Sequence, residues 1–402
     1  MIRTHSGFMP TEADFLRAII ADPDSDGPRL VYADWREECG DSARAEFIRV
    51  QCALAALPAG DRTYHPLLEL QAKLEAAHRA EWLRPFGDLL SQHAAVIPGR
   101  WRWWARRPRT ENPIAAAFRR GFVDYLQLDM AEFARHAGQL TRMTPLRAVT
   151  LQSTDSLNLG PADVIRSTNT WESLTMCPDL GGLKHIHVRS HRLSPVEMRS
   201  FTECRYLGNL VELGLINPGF HRQAIEVLCA SSLLSRLSDL SIVALGEDQG
   251  HACADLLLFE TTSRHLETLF LSRMFDVDAD FLQQLTRLPS FSRLDSLTLN
   301  NCPVGDTDLG VFLEWLPDTI GVLELSSLEL GDRAAVSIAT TPRLRGLKKL
   351  DMKSNRIGDA GAMALADSPN LLASTGLVLW GNPISERVKN ALRIRCGHHV
   401  LV

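Results

Sequence analysis

Two histidines at i and i+2, His185 and His187, with His191 close behind, are the side chains best placed for metal or proton chemistry, since alternation along a strand puts the first two on one face. An imidazole pair holds a transition metal when further ligands complete the set. No carboxylate or cysteine is fixed beside this pair by sequence, so a hydrogen-bonding patch is expected, with no metal and no cofactor. Asp22, Asp24, Asp26 and Gly27 match the first half of a calcium-binding EF-hand loop. The match then fails, because the twelfth place, counted from Asp22, is Ala33 and not a bidentate Glu. A turn between helices is expected instead, its carboxylates capping the helix opened by Pro28. Tyr32, Asp34, Trp35 and Arg36 lie within one turn, with Arg44, Glu46 and Arg49 a helix away. These could form a catalytic cluster, but interlocking two helices by ion pairs is the expected role. No nucleophile elbow, P-loop, H-E-x-x-H or dinucleotide fingerprint occurs, and a non-enzyme is expected.

The sharpest charge feature is Arg100, Trp101, Arg102, Trp103, Trp104, Arg106 and Arg107, followed by Arg109, Arg119 and Arg120 against the single acid Glu111. Arginine interleaved with aromatics suits base stacking and phosphate contacts, and equally suits docking on an acidic protein surface. Net-negative segments lie on both sides, so a protein-facing clamp is expected, and nucleic-acid binding is kept as the alternative of another class.

These residues must be positioned by a chain of 402 residues, 45% hydrophobic and 23% charged, with a formal net charge of −5. That composition excludes disorder, and the small net charge excludes a global field steering the molecule to nucleic acid or lipid. No run approaches the roughly 20 apolar residues of a membrane span, and the first residues do not resemble a secretory signal. The eight cysteines are scattered without zinc-finger spacing. They read as reduced thiols, and the chain is expected in the cytoplasm, monomeric by itself.

Self-similarity decides the architecture. LKKLDMKSNRI fills every place of L-x-x-L-x-L-x-x-N-x-L with Leu347, Leu350, Met352, Asn355 and Ile357, and LDSLTLNNCPV repeats it with Leu294, Leu297, Leu299, Cys302 and Val304. The second apolar place recurs at Val149, Ile186, Leu213, Leu240, Leu269, Leu297, Leu323, Leu350 and Leu377, in steps of 37, 27, 27, 29, 28, 26, 27 and 27. The long first step predicts an insertion near 155–178. GFVDYLQLDM puts Val123, Leu126 and Leu128 on the same frame as an N-terminal capping repeat. Apolar helical stretches such as RQAIEVLCASSLL fall between the strand segments.

The array resembles the ribonuclease-inhibitor-like leucine-rich-repeat family. That resemblance implies an α/β solenoid, with a curved parallel sheet of about ten strands inside and helices outside, preceded by a small all-helical domain. EADFLRAIIADPDSDGPRLVYADWREECGDSARAEFIRVQCALA is similar to the short bacterial repeat-companion domain that precedes such arrays, to which no biochemical role is attached. The expected domains are 1–90, helical companion; 91–121, basic junction; and 122–402, repeat array. Places three, five and seven of each strand then face the concave side, bringing forward His185, His187, Arg189, Glu212, Ile216, Asp239, Phe270, Asn300, Glu324, Lys349, Asp351, Lys353 and Trp380. Ile216, Phe270 and Trp380 are the apolar anchors of a strip expected to bind a partner protein. The alternative within this class is a stoichiometric inhibitor or regulatory subunit of a partner enzyme.

Overall fold

Apolar residues two apart bury one face of a short strand, and a strand–turn–helix unit stays stable only when neighbours cover that face. The computed structural model describes residues 10–57, 61–89, 115–152, 171–189, 194–217, 222–244, 265–274, 277–371, 375–396 and 400–402. Its contacts separate two units, Met1–Lys184 and His185–Val402.

The first unit opens with α1 (Glu12–Ala21), α2 (Gly27–Glu38), α3 (Ser42–Ala56) and α4 (Tyr64–Leu89). Asp14 fixes the start of α1 by accepting from Thr11 Oγ1 at 2.7 Å and Thr11 N at 3.0 Å, and Asp41 starts α3 by accepting from Arg44 N at 3.1 Å. The first three helices do not close a core among themselves. Ile19, Tyr32, Ala33, Ala45, Ile48 and Cys52 pack together with Phe122, the first residue of a strand.

That strand, β2 (Phe122–Asp129), pairs antiparallel with β1 (Ala115–Arg119), which occupies the last part of the basic segment 91–121. The connection is a two-residue turn, Arg120 and Gly121 with φ of 48° and 86°, the left-handed pair that matches strand twist. Gly121 is needed for a second reason, since a Cβ there would lie 2.4 Å from Ile48 Cγ1. Helix α5 (Met130–Met143) follows, opened by Asp129, and β3 (Ala148–Gln152) pairs parallel with β2, Leu126 opposite Val149 as the repeat frame requires.

The second unit carries β4 (His185–Arg189), β5 (Glu212–Asn217), β6 (Asp239–Ala244), β7 (Thr268–Ser272), β8 (Ser296–Asn300), β9 (Val322–Ser326), β10 (Lys349–Asp351), β11 (Gly376–Val378) and β12 (Val400–Leu401). Each pairs parallel with the next, and the register runs Ile186, Leu213, Leu240, Leu269, Leu297, Leu323, Leu350, Leu377 without a slip. All eight of these side chains are buried, each stabilising the array by about 2 kcal/mol before entropy is set against it. Between strands lie α6 (Pro195–Thr202), α7 (Arg222–Cys229), α8 (Ala279–Leu285), α9 (Asp306–Leu313), α10 (Asp332–Thr340) and α11 (Asp359–Ala366), with α12 (Glu386–Cys396) after β11. This is an α/β leucine-rich-repeat solenoid.

Two polar ladders join successive repeats. Asn355 Nδ2 donates to Leu325 O at 2.7 Å and Met352 O at 2.9 Å, while its Oδ1 accepts from Leu328 N and Leu330 N at 3.0 and 3.2 Å. Asn382 repeats the pattern on Met352 O, Leu379 O and Ile357 N. A buried backbone amide left unpaired is expensive, which is why the frame asks for Asn at this place. Along the helix starts, Asp306 accepts from Gly331 N, Asp332 from Gly358 N and Gly361 N, and Asp359 from Ser385 N, at 2.7 to 3.0 Å.

Candidate functional site: the inner face of the sheet

The two histidines of β4 share a face, as alternation requires, and their partner comes from the neighbouring strand. Glu212 accepts from His185 Nδ1 at 2.7 Å on one carboxylate oxygen and from His187 Nε2 at 2.6 Å on the other. Burial alone would raise the Glu212 pKa, but the two imidazole hydrogen bonds outweigh it and hold the carboxyl well below the ordinary value of 4.5. Gly214 makes room for this arrangement, because a Cβ there would sit 2.7 Å from His187 Cγ. Among the described residues no group of three or more His, Cys, Asp or Glu has the arrangement to hold a metal ion.

At the other end of the sheet the polar residues pair with one another. Lys349 Nζ donates to Glu324, and Lys353 Nζ donates to Asp351 Oδ2 at 2.7 Å, while Ser326 Oγ and Lys353 N reach Asp351 Oδ1 at 3.3 and 3.1 Å. Glu324 and Asp351, expected to face a partner, are therefore buried under their own lysines. Lys349 and Lys353 stay half-buried, and Trp380 is 41% exposed.

Ile216 departs further from expectation. It is buried, at 5% exposure, and its register partner Val243 is fully buried. Apolar side chains at matching places of parallel strands lie one strand spacing apart and cover each other, an effect alternation within one strand does not contain. Arg189, Asp239, Phe270 and Asn300 are of intermediate exposure. The strip is thus narrower than expected: half-open at His185 and His187, at Phe270, and at Lys349, Lys353 and Trp380.

The acidic loop of the first unit does not cap α2 as expected. No side-chain oxygen of Asp26 caps α2; Asp26 faces Arg120 Nε at 3.3 Å instead. Asp24 accepts from Arg147 Nη1 at 2.7 Å, with Lys184 Nζ at 3.7 Å, and the Arg147 hydrogen bond holds its carboxyl far below the usual range. The loop is therefore a latch onto the hairpin turn and β3. Ion pairs also account for the second cluster: Arg49 Nη2 donates to Asp34 and Glu37, both at 2.6 Å, and Tyr32 Oη donates to Glu12 at 2.6 Å. Arg44 lies among Trp82, Phe118, Phe122 and Phe47, its Cζ between 4.9 and 5.9 Å from their ring centres, and burial brings its pKa down to about 10. Glu46 is exposed. Arg100, Trp101, Arg102, Trp103, Trp104, Arg106 and Arg107, like His191, lie outside the described residues.

No helix of the described residues is long and apolar enough to cross a membrane. No family model matches the chain, and no curated protein matches it. Among solved structures it is similar to one of the Rad7 and Elc1 complex in yeast, at 15% identity and a TM-score of 0.48, over 96% of this chain and 91% of that one. It is also similar to a protein from Bacteroides fragilis, at 14% identity and a TM-score of 0.41, over 64% of this chain and 74% of that one. An internalin from Listeria monocytogenes gives 16% identity and a TM-score of 0.35, over 65% and 67%. The assignment to the leucine-rich-repeat solenoids rests on the strand register and the asparagine ladder, not on these likenesses.

Proposed function

We propose that this chain is a non-catalytic protein-interaction scaffold of the helix-containing, ribonuclease-inhibitor type, a bacterial cytoplasmic monomer that takes a partner protein on the inner face of its sheet. The observation that carries this reading is the set of half-open side chains along that face: the Glu212-anchored histidines of β4 and Phe270 of β7, with Trp380 just beyond β11. Aromatic anchors amid fixed polar groups are what dominates binding energy at protein interfaces. Rigid placement also lowers the ordering entropy that binding would otherwise cost.

Affinity capture with the full-length chain tests the proposal, comparing wild type, Phe270→Ala/Trp380→Ala, and Trp315→Ala, which removes an exposed tryptophan just beyond α9. A protein retained by wild type and by Trp315→Ala, but lost with the inner-face variant, is the expected result. Equal retention by all three rejects the inner face as the binding surface.

A further inference from the structure

The helical side of the second unit carries a cleft that the inner-face reading does not use. It encloses ≈ 570 Å³ between the C-terminal ends of α6 and α7, and Arg199, Arg205 and Arg236 line it together with Thr202, Ser231 and Ser232. Glu203 is the only acidic residue in the lining. The cleft is thus cationic by two charges.

Arginines at helix C-termini often do no more than offset the helix dipole. Here that task is partly taken by hydroxyls and backbone. Thr202 Oγ1 donates to Arg199 O at 3.1 Å, Ser231 Oγ donates to Leu228 O at 2.6 Å, and Glu203 N reaches Arg199 O at 2.9 Å. The guanidinium groups of Arg199 and Arg236 meet no carboxylate within ion-pair distance among the described residues. Arg205 is held in place: its Nη2 donates to Tyr206 Oη, and its Cζ lies 4.7 Å from the centre of that ring. Planar guanidinium forks at a cleft suit the oxygens of a phosphate better than a lone carboxylate, because each presents paired donors to a dianion.

We propose that this cleft binds a phosphorylated serine or threonine in a peptide segment of a partner protein. Two features favour a peptide. The volume far exceeds a single phosphate and leaves room for chain on either side. No aromatic side chain lines the cleft to stack a nucleobase.

The test uses the full-length chain and an immobilised degenerate peptide library with one fixed phosphoserine, against the same library unphosphorylated. Wild type should be retained by the phosphorylated library at least about tenfold more strongly, and Arg199→Ala/Arg236→Ala should lose that preference. Both arginines are exposed, so the variant should melt with wild type by circular dichroism, and Arg333→Ala on α10 should retain the preference. Equal retention on the two libraries, retention by neither, or an unchanged double variant would each overturn the proposal. Displacement by inorganic phosphate at concentrations matching the peptide would overturn it too, in favour of a free-anion site.

Discussion

The two ends of the second unit use polar side chains in opposite ways. In the last repeats Asn355 and Asn382 spend their hydrogen bonds on backbone groups of their own and the preceding repeat, and the inner-face carboxylates Glu324 and Asp351 are covered by Lys349 and Lys353. At β4 and β5 the strand-face carboxylate is not covered by lysines: Glu212 anchors two histidines that remain partly open to solvent. The sequence grades from one use to the other: the ladder place is His191, Pro218, Leu245, Met274, Cys302 and Leu328 before it becomes Asn355 and Asn382. Cys302 keeps a weak version, its thiol reaching Leu271 O at 3.9 Å and Asn300 O at 3.5 Å. The asparagine ladder is therefore confined to the last two of these frame places, and the partly open histidine–carboxylate triad to β4 and β5.

Removing the ladder should have the largest effect. Asn355→Ala strands the buried amides of Leu328 and Leu330 and removes a donor from the Leu325 carbonyl, and should lower unfolding free energy by about 3 kcal/mol in urea titration. A loss under about 1 kcal/mol would erase the contrast between the two ends. Gly214→Ala comes next. Its Cβ would collide with the His187 ring, so the ring must leave Glu212, and a loss of about 2 kcal/mol is expected with a changed His187 imidazole signal by NMR. The smallest effect is a pH dependence. The folded Glu212 carboxyl titrates below its ordinary value of 4.5, so its contribution is full above that pH and is lost as the pH falls below it. Glu212→Gln should flatten the stability profile on the acid side while leaving its slope above neutrality unchanged.

Most of the array was legible in the sequence because the frame is a hydrophobic pattern, and burial enforces such patterns strongly. The residues at its second apolar place are the residues found in register, from Ile186 to Leu377. Pairings across strands were harder. Glu212 follows His185 by one period of 27, so adding the period to each strand residue would have exposed the triad, yet reading along one strand leaves the histidines without a carboxylate. The same omission hid the mutual cover of Ile216 and Val243, and the lysine lids on Glu324 and Asp351. The aspartate ladder carried a readable signal, Gly-Asp at 305–306, 331–332 and 358–359, whose meaning depends on contact with the next repeat. The acidic loop at 22–26 found its partners at Arg120 and Arg147, too distant in sequence for local capping rules to reach.

The inner face as the binding surface is tested most directly by the affinity of the captured partner, purified and titrated calorimetrically against three full-length proteins. Phe270→Ala/Trp380→Ala should raise Kd by about tenfold or more, whereas Trp315→Ala should leave it within about twofold of wild type. A Kd unmoved by the inner-face variant, or raised by Trp315→Ala alone, would contradict the account and place the partner on the helical side.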